Sequence, residues 1–437
     1  MKQFSKEERS WIMYDWADSA FATIMMAAVF PVFFVNMAGG EGTPGSAWWA
    51  IGMVITQVIL GVSAPILGAI IDFKGFKKRL FVIFLTLGVV VLLVLALQSA
   101  WQMLLVGYIL ANIFWSSTMV IYDSYLPDVT TKERMDKVSA WGYGMGYIGG
   151  STIPFIISII LILFGDNFGI DMTLAVRISI VMTAVWWAVF SVPIVRNVHH
   201  KYGNETLAKG KGFVSLTFKN IFTTARKIVK NKGVFIFIIA YFFYIDGVGT
   251  VIRMATAYGA ELGLGAEGMI GALFVTQIVA FPFSILFGKL AKIWNPINLI
   301  TVAICTYVVI CLTGFFMGFG LEQYWFGVNT ALIFFWALAF MVGTVQGGIQ
   351  AISRSTFGQL VPPESSGEYF GFFEIFGRFA AILGPALYAL VLGISGRPSF
   401  SILSIIGIFV VGLIILTAGR KHIIPQLNLR QEGTNNA

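Results

Sequence analysis

Charge is scarce in this chain. Only 11% of its 437 residues are Asp, Glu, Lys or Arg, where a soluble domain carries about 25%. Cysteine is nearly absent too: Cys305 and Cys311 lie in one apolar segment, which excludes a disulfide framework and any zinc spacing. The three histidines, His199, His200 and His422, sit in loops or tails. No His, Cys or carboxylate cluster has metal-ligand spacing, and no nucleophile stands beside a base, so neither a metal, a cofactor nor an enzyme is expected. There is no phosphate-binding Walker loop, and the glycines of "GYGMGYIGG" follow no strand, which excludes a dinucleotide fingerprint. The polar start "MKQFSKEERS" is unlike a signal peptide, and the apolar run after it is too long for a signal core.

What is abundant is apolar sequence, 57% of the chain. Runs near 11–37, 47–71, 80–100, 101–126, 137–164, 173–195, 233–259, 267–291, 298–320, 324–352, 367–393 and 399–419 each approach the roughly 20 residues that a spanning helix needs. The reading is twelve crossings of a lipid bilayer. The formal charge of +8 then points to topology rather than to nucleic acid. All 29 Lys and Arg except Arg177, Arg253, Arg378 and Arg397 fall at the tails, in the 196–232 segment, or in loops on the same side as these. The positive-inside rule therefore predicts cytoplasmic termini. The opposite loops, "MAGGEGTPGSA" and "FGDNFGID", carry no Lys or Arg.

The chain also repeats itself. "VITQVILGVSAPILGAIID" (54–72) aligns with "FVTQIVAFPFSILFGKLAK" (274–292), placing Thr56 on Thr276, Gln57 on Gln277 and Gly68 on Gly288, an offset of 220 residues. Weaker echoes pair 126–144 with 360–373, and Asp18 with Asp246. This predicts an all-α membrane protein of two pseudo-symmetric six-helix bundles, 1–195 and 233–437, joined by a basic linker over 196–232. That plan is similar to the major facilitator fold, whose halves enclose a site near the midplane. The loop after the second span resembles the signature loop of that superfamily through Gly68, Asp72, Gly75 and the basic run Lys77, Lys78, Arg79. Gly68 permits close helix approach and Gly75 a tight turn. Asp72 is placed to accept hydrogen bonds across the halves, and the basic run to meet anionic headgroups. In the second copy Lys292 stands where Asp72 would be, so any latch is asymmetric.

A charge in the bilayer is costly, which makes intramembrane charges informative. They fall on spans that the fold places around a cavity: Asp15 and Asp18 on span 1, Asp123 on span 4, Asp246 and Arg253 on span 7, and Glu374 and Arg378 on span 11. Gln57, Gln277, Gln346 and Gln350 add neutral hydrogen-bonding groups. Asp15 and Asp18 share a helix face, and Asp18 lies roughly 10 Å past Trp11 at 1.5 Å rise per residue. Asp15 reads either as a helix-start acid or, with Asp18, as a binding or proton-carrying acid. Asp123 faces the cavity mouth or the inner loop. Glu374 and Arg378, at i and i+4, neutralise one another or part to admit a charged substrate. "SAWGYGMGYIGGSTIP" (139–154) reads as a tight glycine-lined helix interface. In the linker, "VSLTFKNIFTTARKIVKNKG" (214–233) sets Phe218, Phe222, Ala225 and Val229 on one face, as an amphipathic helix on the inner leaflet would, or else it is a solvated linker.

"YDWADSAFAT" in span 1, "YLPDVTTKERMDKVSAWGYGMGYIGG" after span 4 and "AYFFYIDGVGTVIRMATAYG" in span 7 resemble the signatures of the fungal autophagy-linked vacuolar effluxer family and its bacterial relatives. Asp18 is a departure, since the family pattern there usually has Asn. The resemblance implies a major facilitator transporter, with amino-acid export as the fungal association, and the short loops suit a bacterial plasma-membrane member. The expected function is secondary transport of a small molecule by alternating access, with protons as a candidate coupling ion and a single chain as the working unit. Acid and base together suit a zwitterion. The aromatic groups Tyr241, Phe242, Phe243, Tyr244 and Phe370, Phe372, Phe373 suit an apolar side chain, and equally a lipid-like or drug-like amphiphile. A non-transporting receptor on the same fold is the remaining alternative.

Overall fold

The structure, a computed structural model, describes residues 3–38, 45–203 and 213–435. Among them, twelve helices are long and apolar enough to cross a membrane. They are α1 (Lys6–Ala38), α2 (Gly45–Ile71), α3 (Phe76–Leu95), α4 (Trp101–Ser124), α5 (Lys132–Phe168), α6 (Met172–Asn197), α7 (Lys232–Glu261), α8 (Ala266–Leu290), α9 (Pro296–Glu322), α10 (Val328–Leu360), α11 (Ser366–Ser395) and α12 (Pro398–Asn435). The spacing of apolar runs thus translates directly into helices, because in lipid every backbone polar group must be bonded within its own segment. A linker helix runs over Phe213–Lys230. Residues 39–44 of the loop between α1 and α2, residues 204–212 of the linker and the side chain of Phe218 lie outside the described residues.

The chain folds into two compact units. One comprises Met1–Thr131, Met145–Thr224 and Pro362–Ile375, and the other Lys132–Gly144, Ala225–Val361 and Phe376–Ala437. Each therefore takes in a short segment from the opposite half of the sequence.

In the first unit, α1 packs on α4, α6 and the glycine-rich part of α5. Trp11 stacks on Tyr122 with ring centroids 4.4 Å apart, and its Nε1 donates to the Tyr122 carbonyl. The Tyr14 hydroxyl donates to Thr118 and accepts from Trp187 Nε1. Gly149 lies directly under the Trp16 ring, and Gly150 against the Trp16 carbonyl and Ser19. No side chain fits there, so the glycine run of α5 sets how near α1 comes. Both helices widen to π-helical turns at this level, over Ala22–Ala28 and Gly146–Thr152.

The second unit is held by pairs of long helices, α7 with α12 and α8 with α10. Tyr258 bridges α7 and α9 by donating to the Gly314 carbonyl at 2.6 Å. Thr276 of α8 donates to the Ala339 carbonyl of α10 at 3.0 Å. The first turns of α5 lie against α10 here: the Ser139 hydroxyl donates to the Ala351 carbonyl, and Asp136 accepts from Ser355 and Gln359.

Candidate functional site

The signature loop is the best-defined polar site of the first unit. Gly68 and Gly367 meet backbone to backbone, leaving no room for a Cβ on either. That contact carries Asp72 over the first turn of α11, where Oδ1 accepts from Gly367 N at 2.7 Å and Oδ2 from Glu368 N at 2.8 Å. The carboxylate supplies the N-terminal capping that the helix's unpaired N–H groups require. Burial pushes Asp72 up to about 7, against the pull of Lys77 and of the two backbone donors. Gly75, at φ 86°, turns the chain into α3. Beyond it the structure departs from the expected headgroup anchor. Lys77 is fully buried, pairs with Asp128 at 3.0 Å, and donates to the Ser124 carbonyl and to Ser366. Lys78 is half-buried and Arg79 exposed. Asp128 Oδ1 also accepts from the backbone N–H groups of Lys201 and Tyr202, at the start of the linker. His200 packs beside this pair, and burial together with the Lys77 charge lowers it to about 4, so it is neutral at physiological pH.

The other sequence-derived residues of the first unit are Asp15, Asp18, Asp123, Gln57 and Glu374. The three aspartates are buried, while Gln57 and Glu374 are half-buried. The Asp15 carbonyl accepts from Ser19 and faces Gly146 of α5. Gln57 Oε1 is buried without a hydrogen-bond partner among the described residues.

In the second unit, Asp246 is completely buried on α7. Neither of its carboxylate oxygens has a hydrogen-bond partner of good geometry among the described residues, although Oδ2 lies against the Gly384 backbone of α11. Thr250, one turn along, presses its Oγ1 on the same glycine and is equally unpartnered. Arg253 is two turns from Asp246 and folds its guanidinium over Gly249, whose missing side chain makes the space. There it lines a cavity of about 220 Å3 with Gln350, Ile252 and Gly377. A second, mostly apolar cavity of about 90 Å3, also lined by Ile252, lies between α7, α8, α9, α10 and α12. Gln277, Thr276, Gln346 and Tyr258 contribute its polar atoms. Gln277 Oε1 is buried and unpartnered, as Gln57 Oε1 is at the repeat-related position. The structure thus brings Arg253 and Gln350 to one cavity, and Gln277 and Gln346 to another, with Ile252 lining both. Arg378 is half-buried on α11.

Several residues here were not singled out from the sequence. Arg354 is buried, donates to the Ser139 hydroxyl and carbonyl, and lies over the Tyr143 ring at 4.4 Å. In sequence it reads as one more inner-loop cation. Tyr244 is tied to Ser353 at 2.7 Å, and Phe242 packs edge-on against Phe243 and Phe376. These two members of the α7 aromatic run are thus engaged in packing contacts.

Twelve apolar helices define a multi-pass membrane protein, and its sequence relatives make it a transporter of the major facilitator type. The human organic anion transporter MFSD10 has the same fold, with a TM-score of 0.65 at 13% identity, covering 94% of this chain and 99% of that one. A bacterial homologue of the iron transporter ferroportin, solved in an outward-facing state with soaked iron, matches with a TM-score of 0.63 at 13% identity over 94% and 99%. Residues 46–420 match the family described as vacuole effluxer Atg22 like, and the chain belongs to that family. It is 42% identical to an uncharacterized major facilitator-type transporter, YxiO, of Bacillus subtilis (strain 168), over 95% of each chain. It is 25% identical to the autophagy-related protein 22 of Botryotinia fuckeliana (strain B05.10) over 64% of its own length, and spans about half (49%) of that fungal protein.

Proposed function

We propose that this protein is a secondary transporter that exports a small amino-acid-like zwitterion by alternating access of two six-helix halves, with protons as the coupling ion. The observation that carries the reading is the pair of adjoining cavities on α7. One is lined by the Arg253 guanidinium, which can meet a carboxylate, and the other, which shares Ile252 with it, is a mostly apolar space. Arg binds carboxylates through paired N–H donors. An engineered cavity of about 150 Å3 holds benzene, so 90 Å3 suits a short aliphatic group. A phospholipid acyl chain or a polycyclic drug exceeds that volume, which favours the zwitterion over the amphiphile. Asp246, buried on α7 with neither carboxylate oxygen in a well-formed hydrogen bond among the described residues, is the group we assign to the substrate ammonium or to the proton. The plasma membrane, with both termini on the cytoplasmic side, is the location we assign, and the protein acts without a cofactor or covalent chemistry.

Counterflow of radiolabelled aliphatic amino acids into proteoliposomes tests this. The wild type should accumulate label, while Arg253→Gln should not, with Arg253→Lys intermediate because a point charge replaces a planar fork. Full accumulation by Arg253→Gln removes the carboxylate site. Absence of counterflow in folded wild type with every amino acid tried favours the receptor alternative.

A further inference from the structure

The two copies of the signature loop agree in packing and disagree in charge. In the first, Gly68 meets the Gly367 backbone and Asp72 then caps α11. In the second, Gly288 makes the corresponding close approach to α5. A Cβ there would lie 3.2 Å from the Asp136 carbonyl and 3.4 Å from Lys137 Cα. Where the first copy then places a carboxylate, the second places Lys292. Instead of a closed carboxylate cap, a cavity of about 460 Å3 opens, lined by Lys132, Lys137, Lys292, Glu133, Asp136 and Gly288.

We propose that this cavity binds the phosphate of an anionic phospholipid from the cytoplasmic leaflet. Three lysines and two carboxylic residues line it, a formal excess of one positive charge. Asp136 is already committed to α10, accepting from Ser355 and from Gln359 at 3.1 Å. Lys292 is exposed and has no hydrogen-bond or ion-pair partner among the described residues. The lipid source follows from the next two residues. Ile293 is 78% and Trp294 49% exposed, in the turn that leaves α8. An isoleucine and a tryptophan turned outward at a helix end sit at the headgroup level of a bilayer. Lys292 of the cavity lining is next in the chain to these two residues and so belongs at the headgroup level, where basic pockets take lipid headgroups. A phosphodiester would supply the anion that Asp72 supplies in the first copy.

Native mass spectrometry of the full-length protein carrying phosphatidylglycerol tests the assignment. Lys292→Asp installs the acid of the first copy at an exposed position, and Lys292→Gln removes charge alone. Wild type should retain one phosphatidylglycerol about tenfold more strongly than Lys292→Asp, with Lys292→Gln between them. Lys421→Gln, an exposed cation elsewhere, should match wild type. Phosphatidylcholine should show no such difference. Equal retention of phosphatidylglycerol by wild type and Lys292→Asp overturns the site. Displacement of the bound lipid by millimolar inorganic phosphate overturns the lipid assignment in favour of a soluble phosphate.

Discussion

A carboxylate in the interior of a membrane protein has to be explained by what it does, and Asp246 is the sharpest instance here. It is fully buried, faces a glycine, and among the described residues has no hydrogen-bond partner of good geometry, with Arg253 two turns along the same helix as the nearby charge. Asp246→Asn keeps its shape and removes its charge. Transport should fall to below about a tenth of wild type, since a hydrogen bond to a charged group is worth about 1.5–3 kcal/mol. The size-exclusion profile should be unchanged and the thermal midpoint no lower, since a buried charge is removed; normal transport by this variant would take Asp246 out of the site. Lys77 is the opposite case, a buried cation whose partner is in place. Asp128→Asn leaves the ammonium in a dry site facing a neutral amide. Breaking a buried pair in this way costs about 3–5 kcal/mol. A large drop in the melting temperature of the purified protein is expected, and a change within measurement error would mean water reaches Lys77.

At the scale of elements, the loop between α2 and α3 works through geometry as much as charge. The Gly68–Gly367 contact brings α2 and α11 close enough for a short aspartate to reach two N–H groups of the first turn. Burial raises Asp72 from 3.8 to about 7. The folded protein thus holds a proton that the unfolded chain has released across that window, so Asp72's contribution to stability declines as pH rises from about 4 to about 7 and is level above. The melting temperature of wild type minus that of Asp72→Asn should accordingly be larger at pH 5 than at pH 8. An equal difference at both values would show that the carboxylate is ionised throughout. His200, lowered from 6.5 to about 4, works in the other direction, and its contribution is lost as pH falls through that range. Measuring the pair in a His200→Gln background separates the two. The linker helix is a further element whose faces the structure sorts. Thr217, Thr224 and Ile228 are buried, Thr224 donates to Glu368, and Phe222 is 74% exposed with Val229 beside it on the outside. Phe222 and Val229 thus stand outward among the exposed Lys219, Arg226, Lys227 and Lys230.

For the molecule as a whole, the distribution of Lys and Arg makes a topological prediction. A green fluorescent protein fused after Ala437 should fluoresce in a bacterial host, and an alkaline phosphatase fused there should be inactive. The reverse pair of results would invert the assigned orientation. The twelve spans were readable from apolar runs alone, because a helix in lipid needs a fixed length of apolar side chains and tolerates few charges. The glycines of 142–150 were readable as a packing surface because small residues let helices approach closely in lipid. The sites were less legible. Lys77 and Arg354 sit among loop cations in the sequence, and nothing local separates a headgroup anchor from a buried partner of Asp128 or a cation laid on Tyr143. Likewise, Gln277 and Gln346 are far apart in sequence and meet only across the α8–α10 contact.

The sequence by itself determined the solvent of this protein, the number of its crossings and the existence of two related halves. Those properties depend on composition and period, which are local and additive. Only the tertiary structure decided which charge is paired, which amide is left unsatisfied and where a cavity opens. Those depend on distances between residues of different helices, set by how closely Gly68, Gly149 and Gly288 let their neighbours approach.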